Sequence, residues 1–319
     1  MDPNLIIADV RESDIRISRK QLDFARTVRW NLDLYDFPFE QDLVSVIIPA
    51  YNAEKTIELS LRSIMIQSYR QLEIIVVNDG SSDNTAGIVG RLAKEDKRIK
   101  LINLEKNAGC YPARNAAIRQ SRGKYITFQD ADDISLKDRI RHQLVFHCLG
   151  KTKLSLMRIL RSRLTFDEID VEDQGALIIK SLQARQNKLV NEYRDQPVLG
   201  LVTSMFDREL LIQHGLFWEN RFGSDAELVE RILFAEAGMR IGQADKKLQM
   251  YLSGTREIPG LFYRIDTIGV ISPEMTGQNL TKKYGTEERN RFENTWRQQF
   301  EGIGDYIYPR LTERESTSS

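Results

Sequence analysis

VSVIIPAYN (44–52), LEIIVVNDGSSD (72–83) and YITFQDADD (125–133) are the stretches whose reading decides the fold of this chain. Each opens with a short apolar run rich in β-branched or aromatic residues. None of the runs alternates with polar residues, which is the pattern of a strand buried on both faces. Between them lie amphipathic stretches. Ile57, Leu61 and Ile64 recur at helical spacing after the first run. Ser82-Asp83 opens a second helix that carries Ile88 and Leu92. Ile99-Lys100-Leu101-Ile102 reads as a third strand and Pro112–Gln120 as a third helix, before Tyr125-Ile126-Thr127-Phe128. Strands alternating with helices across short loops predict an α/β fold, a mostly parallel sheet flanked by helices. In such sheets ligands gather at the carboxyl ends of the strands.

Outward from this block the pattern weakens. Residues 1–42 form an N-terminal extension, highly charged but carrying Ile15, Leu22, Phe24, Val28, Trp30 and Leu32. It reads as a helix docked on the core, with a partner-binding arm as the alternative. Residues 134–150 read as helix, 151–195 give no assignable pattern, Leu199–Phe206 reads as strand and Ser224–Gly238 as helix. Gln249–Gly285, with many Gly, Pro and Thr residues, reads mostly as loop, 286–300 as helix and Thr312–Ser319 as a disordered tail.

The bulk composition excludes several classes. The 319 residues carry 46 Lys+Arg against 46 Asp+Glu, so no net field draws the chain to nucleic acid or anionic lipid. Two cysteines, Cys110 and Cys148, and three histidines argue against a disulfide framework and against zinc. MDPNLIIADVRESD lacks the basic-then-apolar pattern of a secretory signal, and no run reaches the ~18 apolar residues of a membrane span. The expectation is a reducing, cytoplasmic location, with peripheral attachment at the inner face of a membrane left open.

The strand ends carry the chemistry. Pro49-Ala50-Tyr51-Asn52 follows the first strand, Asn78-Asp79-Gly80-Ser81-Ser82-Asp83 the second, and Asp130-Ala131-Asp132-Asp133 the fourth. An isolated Asn-Asp-Gly-Ser is ordinarily a turn and helix cap, and an isolated Asp-x-Asp-Asp a solvated loop. On one sheet edge, however, four carboxylates repel one another unless a cation joins them, and a divalent ion bridging a diphosphate supplies that charge. Asp79 has a second option, as acceptor of hydrogen bonds from a base or ribose.

The run VSVIIPAYNAEKTIELSLRSIMIQSYRQLEIIVVNDGSSDNT, then NAGCYPARNAAIRQSRGKYITFQDADD, resembles the family 2 glycosyltransferases of the GT-A fold. The resemblance covers Leu43 to about Arg141 and continues more weakly over Ser204–Arg231. It implies a donor half at 43–133, an acceptor-side half at 134–285 and a C-terminal helix and tail at 286–319. Pro49, Tyr51 and Glu54 would line the donor nucleotide, Tyr51 near the base, and Asp79 would hold base or ribose. Arg114 would lie along the donor, unless it is a helix-surface arginine paired with Asp130 or Asp79. Asp130 would orient the ribose or the water shell of a metal, and Asp132 would ligate Mn²⁺ or Mg²⁺, with Asp133 nearby. The general base would be Asp225, in Phe222-Gly223-Ser224-Asp225-Ala226-Glu227, with Glu227 as the lesser candidate.

Two features cut against a simple carry-over. Ser224 and Glu227 have the spacing of a capping box, which explains that stretch without chemistry. Some relatives add a histidine ligand beyond the base, but no histidine follows His214. His214 itself reads as a helix-end residue, and Lys246, Lys247 or Arg256 could meet phosphate. The resulting expectation is an inverting transferase moving a sugar from a nucleoside-diphosphate sugar, UDP by default, to a hydroxyl on a glycan or glycolipid acceptor. Polysaccharide, lipopolysaccharide or other surface glycan synthesis is its setting. A sugar-phosphate nucleotidyltransferase is the alternative enzyme, although PAYNAEK stands where its Gly-rich phosphate loop belongs. A non-catalytic nucleotide-sugar-binding module is the third reading.

Overall fold

A computed structural model describes residues 41–149, 151–161, 169–171, 177–179, 201–219, 224–237, 257–258 and 261–272. The expectations for residues 1–40, 286–300 and 312–319, and for Lys246, Lys247 and Arg256, lie outside the described residues. The elements run β1 (Val44–Ala50), α1 (Ile57–Met65), β2 (Leu72–Asp79), α2 (Thr85–Glu95), β3 (Ile99–Leu104), α3 (Cys110–Gln120) and β4 (Tyr125–Phe128). Then come β5 (Ile134–Ser135), α4 (Arg139–Leu149), β6 (Leu154–Arg161), β7 (Ile169–Val171) and β8 (Leu177–Ile179). After a 3₁₀ turn at Leu201–Thr203 follow β9 (Ser204–Asp207), α5 (Arg208–His214), α6 (Ser224–Ala237), β10 (Glu257–Ile258) and β11 (Phe262–Ser272).

Among the described residues the main sheet has the order β10-β11-β6-β9-β4-β1-β2-β3, with β5 on β11. β3, β2, β1 and β4 are mutually parallel. β9 runs antiparallel between β4 and β6, and β11 is parallel to β6. The mixed α/β, mostly parallel sheet expected from the sequence is therefore present.

Its unbroken apolar strands are explained by two separate cores. Val44, Val46 and Ile48 of β1 and Ile74 and Val76 of β2 face one core, covered by Ile57, Leu61 and Ile64 of α1 and by Val89 and Leu92 of α2. Ile47, Ile75 and Val77 face the other, covered by Ala117 and Ile118 of α3, Leu210 of α5 and Leu228 and Ile232 of α6. Alternate side chains of one strand thus enter opposite cores, so both faces are predominantly apolar.

Three local readings need correction. Residues 134–150 are not one helix: β5 occupies 134–135 and α4 begins at Arg139. The unassigned stretch after 151 contains β6. The segment 249–285, read mostly as loop, contains the eleven-residue strand β11. Its Gly and Pro content masked the β-branched run Ile265, Thr267, Ile268, Val270 and Ile271, and pairing along the whole of β6 overrides that local composition.

The edge of this sheet is anchored on Arg139, whose side chain is fully buried. Nη1 donates to Gln129 Oε1 at 3.0 Å and Ser135 Oγ at 2.9 Å. Nη2 donates to Thr127 Oγ1 at 2.9 Å, to the Phe128 carbonyl at 2.8 Å and to the Val202 carbonyl. Burial pulls its pKa down to about 10, opposed by Asp133 and Asp130, so it stays charged at neutral pH. Lysine has the charge but not the planar fork. Arg139→Lys is expected to cost about 1–3 kcal/mol, the penalty of an unsatisfied buried acceptor. Scanning calorimetry checks this, and an unchanged melting temperature would contradict it.

Candidate active site

The first wall is a pair of loops that hold each other. Asn52, with φ at 47°, accepts the Ser82 N–H on Oδ1 at 2.9 Å, and its own N–H donates to Ser81 Oγ at 3.0 Å. The Ala53 N–H donates to Thr85 Oγ1 at 2.8 Å and the Glu54 N–H to Asp83 Oδ2 at 3.0 Å. Glu54 Oε2 in turn accepts the Asn84 N–H at 3.1 Å. Glu54 therefore braces the loop after β2, and Pro49 sits half-buried at the end of β1. Tyr51 is left 51% exposed, a large aromatic face at a strand end. Gly80 permits the turn after Asp79: its φ is +66°, and a Cβ there would meet the Asn107 nitrogen at 2.6 Å.

Asp79 stands apart from the other carboxylates. It is buried, and its Oδ1 and Oδ2 accept the Ala108 N–H at 2.8 Å and the Gly109 N–H at 2.9 Å. These bonds shape the turn that starts α3. Any role toward a base or ribose has to coexist with them. The loop entering α3 thus supplies Asp79 with amide donors and sets it apart from the three carboxylates of the turn after β4.

The three are Asp130, Asp132 and Asp133. The Asp133 N–H closes a turn on the Asp130 carbonyl at 3.1 Å, and Ser60 Oγ donates to that same carbonyl at 2.8 Å. Asp130 pairs with Arg114 at 2.7 Å. Arg114 is a buried residue of α3, not a surface one, with its guanidinium 5.4 Å from the Tyr111 ring centroid and 6.0 Å from that of Phe128. Burial opposes its charge, but Asp130 and other negative neighbours, Asp225 among them, hold its pKa above the ordinary value.

Among the described residues no cation compensates Asp132 in this way. Burial and then Asp130 push its pKa up to about 6. Burial, Asp130 and Asp132 likewise raise Asp133, against a hydrogen bond with Ser272 and the charge of Arg139. Such a cluster of hard oxygens with excess negative charge fits Mg²⁺ or Mn²⁺. Among the described residues no three His, Cys, Asp or Glu side chains converge as a metal-binding group.

The second wall comes from far along the chain. Asp225 lies in the first turn of α6, and Tyr111 Oη donates to its Oδ1 at 2.8 Å. Asn115 joins the segment before α6 to α3: its Nδ2 donates to the Phe217 carbonyl at 2.8 Å and its Oδ1 accepts the Phe217 N–H at 3.1 Å.

The Ser224/Glu227 spacing serves other contacts than the expected box. Ser224 Oγ donates to the Trp218 carbonyl at 2.7 Å, and Glu227, fully buried, takes Arg231 bidentately at 2.7 and 2.9 Å. Arg231 also donates to the carbonyls of His214 and Leu216. Glu227 thus holds the base of α6. His214, at the end of α5, lies 2.7 Å from Glu236.

Of the sequence candidates, Asp130 through Arg114 and Asp225 through Tyr111 are brought to one helix, α3, while Glu54 engages the loop after β2. Tyr111, Asn115, Arg139 and Ser272 were missed. Tyr111 and Asn115 flank Ala113-Arg114, so the helical spacing of α3 carried a signal for them. Ser272 reaches Asp133 only because β11 joins the sheet, and the sequence holds no local signal of that.

Comparison with known proteins places this arrangement. A family model described as glycosyl transferase family 2 matches residues 45–215. A putative teichuronic acid biosynthesis glycosyltransferase, TuaG of Bacillus subtilis, is 34% identical over 167 residues, covering 52% of this chain and 63% of TuaG. The Escherichia coli enzyme WfgD, a UDP-Glc:alpha-D-GlcNAc-diphosphoundecaprenol beta-1,3-glucosyltransferase, is 34% identical over 169 residues, covering 53% of this chain and 62% of WfgD. The chain thus spans less than two thirds of the length of these relatives.

Among solved structures, residues 1–349 of Staphylococcus aureus TarS with UDP-GlcNAc superpose with a TM-score of 0.56 at 20% identity, covering 83% of this chain and 68% of that one. The mannosyltransferase PcManGT of Pyrobaculum calidifontis, with GDP-Man and Mn²⁺, gives 0.53 at 18% identity, covering 96% and 77%. Both are GT-A glycosyltransferases, and the fold here is the GT-A fold.

Proposed function

Because this chain belongs to glycosyl transferase family 2, we propose that it is an inverting enzyme that moves a sugar from a nucleoside-diphosphate sugar to an acceptor hydroxyl. The observation that carries the reading is the approach of Asp225, from α6, to the α3 face whose Arg114 holds Asp130. A general base and a donor-side carboxylate then flank one space. UDP is the proposed nucleotide, supported by the UDP-GlcNAc bound to TarS and the UDP-Glc in the name of WfgD. The acceptor is proposed to be a lipid-linked or surface glycan, by analogy with WfgD and TuaG. Among the described residues no helix is long and apolar enough to cross a membrane. Peripheral attachment at the cytoplasmic face is the proposed route to a lipid-linked acceptor.

In this reading Tyr51 stacks on the base, with Pro49 and Glu54 shaping the loop beneath the nucleotide. Arg114 holds Asp130 and aims it at the donor edge. Asp132 would hold a divalent cation, which would supply Lewis-acid stabilisation of the leaving phosphate oxygen. The acceptor oxygen attacks the anomeric carbon as its proton passes to Asp225 and the bond to the diphosphate breaks. Attack opposite the leaving group inverts the anomeric configuration. The test is incubation with UDP-sugars and lipid-diphosphate glycan acceptors. Release of UDP with glycosidic product supports the proposal. Pyrophosphate release would point to the nucleotidyltransferase reading instead.

Asp79→Asn tests the donor loop separately. It removes one acceptor from the Ala108/Gly109 turn, where a charge-assisted hydrogen bond contributes about 1.5–3 kcal/mol. UDP and uridine affinity are expected to fall together by about tenfold or more in calorimetry. An unchanged uridine affinity would detach Asp79 and its turn from the nucleoside.

A further inference from the structure

We propose that Tyr111 is the positioning residue of the base, clamping Asp225 Oδ1 so that Oδ2 is the oxygen offered to the acceptor hydroxyl. The inference rests on the reading of Asp225 as that base and assigns how it is aimed. Tyr111 and Arg114 are three residues apart on α3 and share a face. Tyr111 holds Asp225 at 2.8 Å, and Arg114 holds Asp130 at 2.7 Å. One helix face therefore sets the separation between the base and a donor-side carboxylate, although the two are 95 positions apart in the chain.

The clamp is rigid. The Tyr111 ring is buried, lies 5.7 Å from the Phe217 ring and has the Arg114 guanidinium on it. Phe217 is in turn tied to Asn115 by two hydrogen bonds. Burial and the Asp225 charge both raise the phenol's pKa, so Tyr111 is a donor throughout the working range. Among the described residues, Cys110, Tyr111 and Arg114 of α3 interact electrostatically with Asp225. Glu227, on the same helix, engages Arg231.

The chemistry balances without a proton from Tyr111. The acceptor O–H proton goes to Asp225 Oδ2, the oxygen's electron pair forms the new C–O bond, and Tyr111 Oη–H stays intact. Removing the Tyr111 donor should loosen the aim of the base.

Tyr111→Phe keeps the ring and removes the hydroxyl. The expected result is a fall in kcat of about 10–100-fold, the scale of a misplaced group, with donor KM, UDP affinity and melting temperature near wild type. A residue that only packs would lower the melting temperature rather than split kcat from donor KM.

In a cycle with Asp225→Asn, removing the hydroxyl should add little to the loss already caused. Full multiplicative losses, or a wild-type kcat in Tyr111→Phe, would overturn the proposal. Full transfer by Asp225→Asn alone would instead overturn the base itself, which is a different failure.

Discussion

Asp225→Asn is expected to lower sugar transfer at least about a hundredfold, since a positioned general base contributes ~10²–10⁴-fold in rate. Nucleotide affinity and melting temperature should stay near wild type. Asparagine keeps the size of the side chain and an oxygen that accepts the Tyr111 hydroxyl, so the start of α6 is preserved. What it lacks is an oxygen basic enough to take the acceptor proton.

Glu227→Gln is the control on the same helix. Glu227 is fully buried against Arg231, and Arg231 also holds two carbonyls before α6. Weakening a buried pair leaves its partner's charge uncompensated, so this variant should lose stability, by up to about 3–5 kcal/mol. Whatever Glu227→Gln remains folded should retain the chemical step. Transfer assays on both variants, normalised to folded protein, decide between them. If Asp225→Asn turns over like wild type, or only folded Glu227→Gln is dead, the base has been misassigned.

The second large effect concerns the acidic turn after β4. Chelation with EDTA is expected to abolish transfer and to weaken UDP binding by an order of magnitude or more. Asp132→Asn should reproduce that loss at saturating Mn²⁺, and Asp133→Asn should do so less. The reason is electrostatic: burial and Asp130 raise Asp132 to about 6, which a bound divalent cation would offset.

The pH dependence follows with a definite sign. A proton competes with the metal for Asp132, so metal-dependent UDP affinity should fall as pH drops through about 6. Metal-free stability runs the other way. A carboxyl whose folded pKa is raised favours the fold at acid pH, and that contribution is lost as pH rises through about 6. Asp132→Asn should therefore raise the melting temperature of the metal-free protein at pH 8 while removing function. Calorimetric UDP titrations with Mn²⁺ and with EDTA test the first claim. Equal affinities would remove the metal from the account.

The sequence and the tertiary structure divide this protein along a physical line. The sheet from β1 to β4 was legible because its signals are local. An apolar β-branched run, a helical stripe such as Ile57/Leu61/Ile64 and a turn such as Asn78-Asp79-Gly80 each act over a few residues, and all point one way. The same locality marks Tyr51, Glu54, Asp79, Asp130 and Asp132 as strand-end residues in the amino-acid sequence alone. β11 was not legible, because its strand character depends on pairing with β6 a hundred residues earlier, while its own Gly content argues for loop.

Within the site, the sequence by itself determined which residue types stand at the strand ends. It could not decide which of them face one another. Asp79 turned to the amides of 108 and 109, because the crossover loop into α3 passes its carboxylate. Glu227 took Arg231 four residues on, one helical turn away. Asp225, with no distinguishing local signal beyond its place in a helix's first turn, met Tyr111 only because α6 packs on the same sheet face as α3. Local sequence sets backbone preference over a few residues, but the direction in which a buried polar side chain turns is set by the nearest partner that satisfies it. Those partners come from other elements once the two cores have closed.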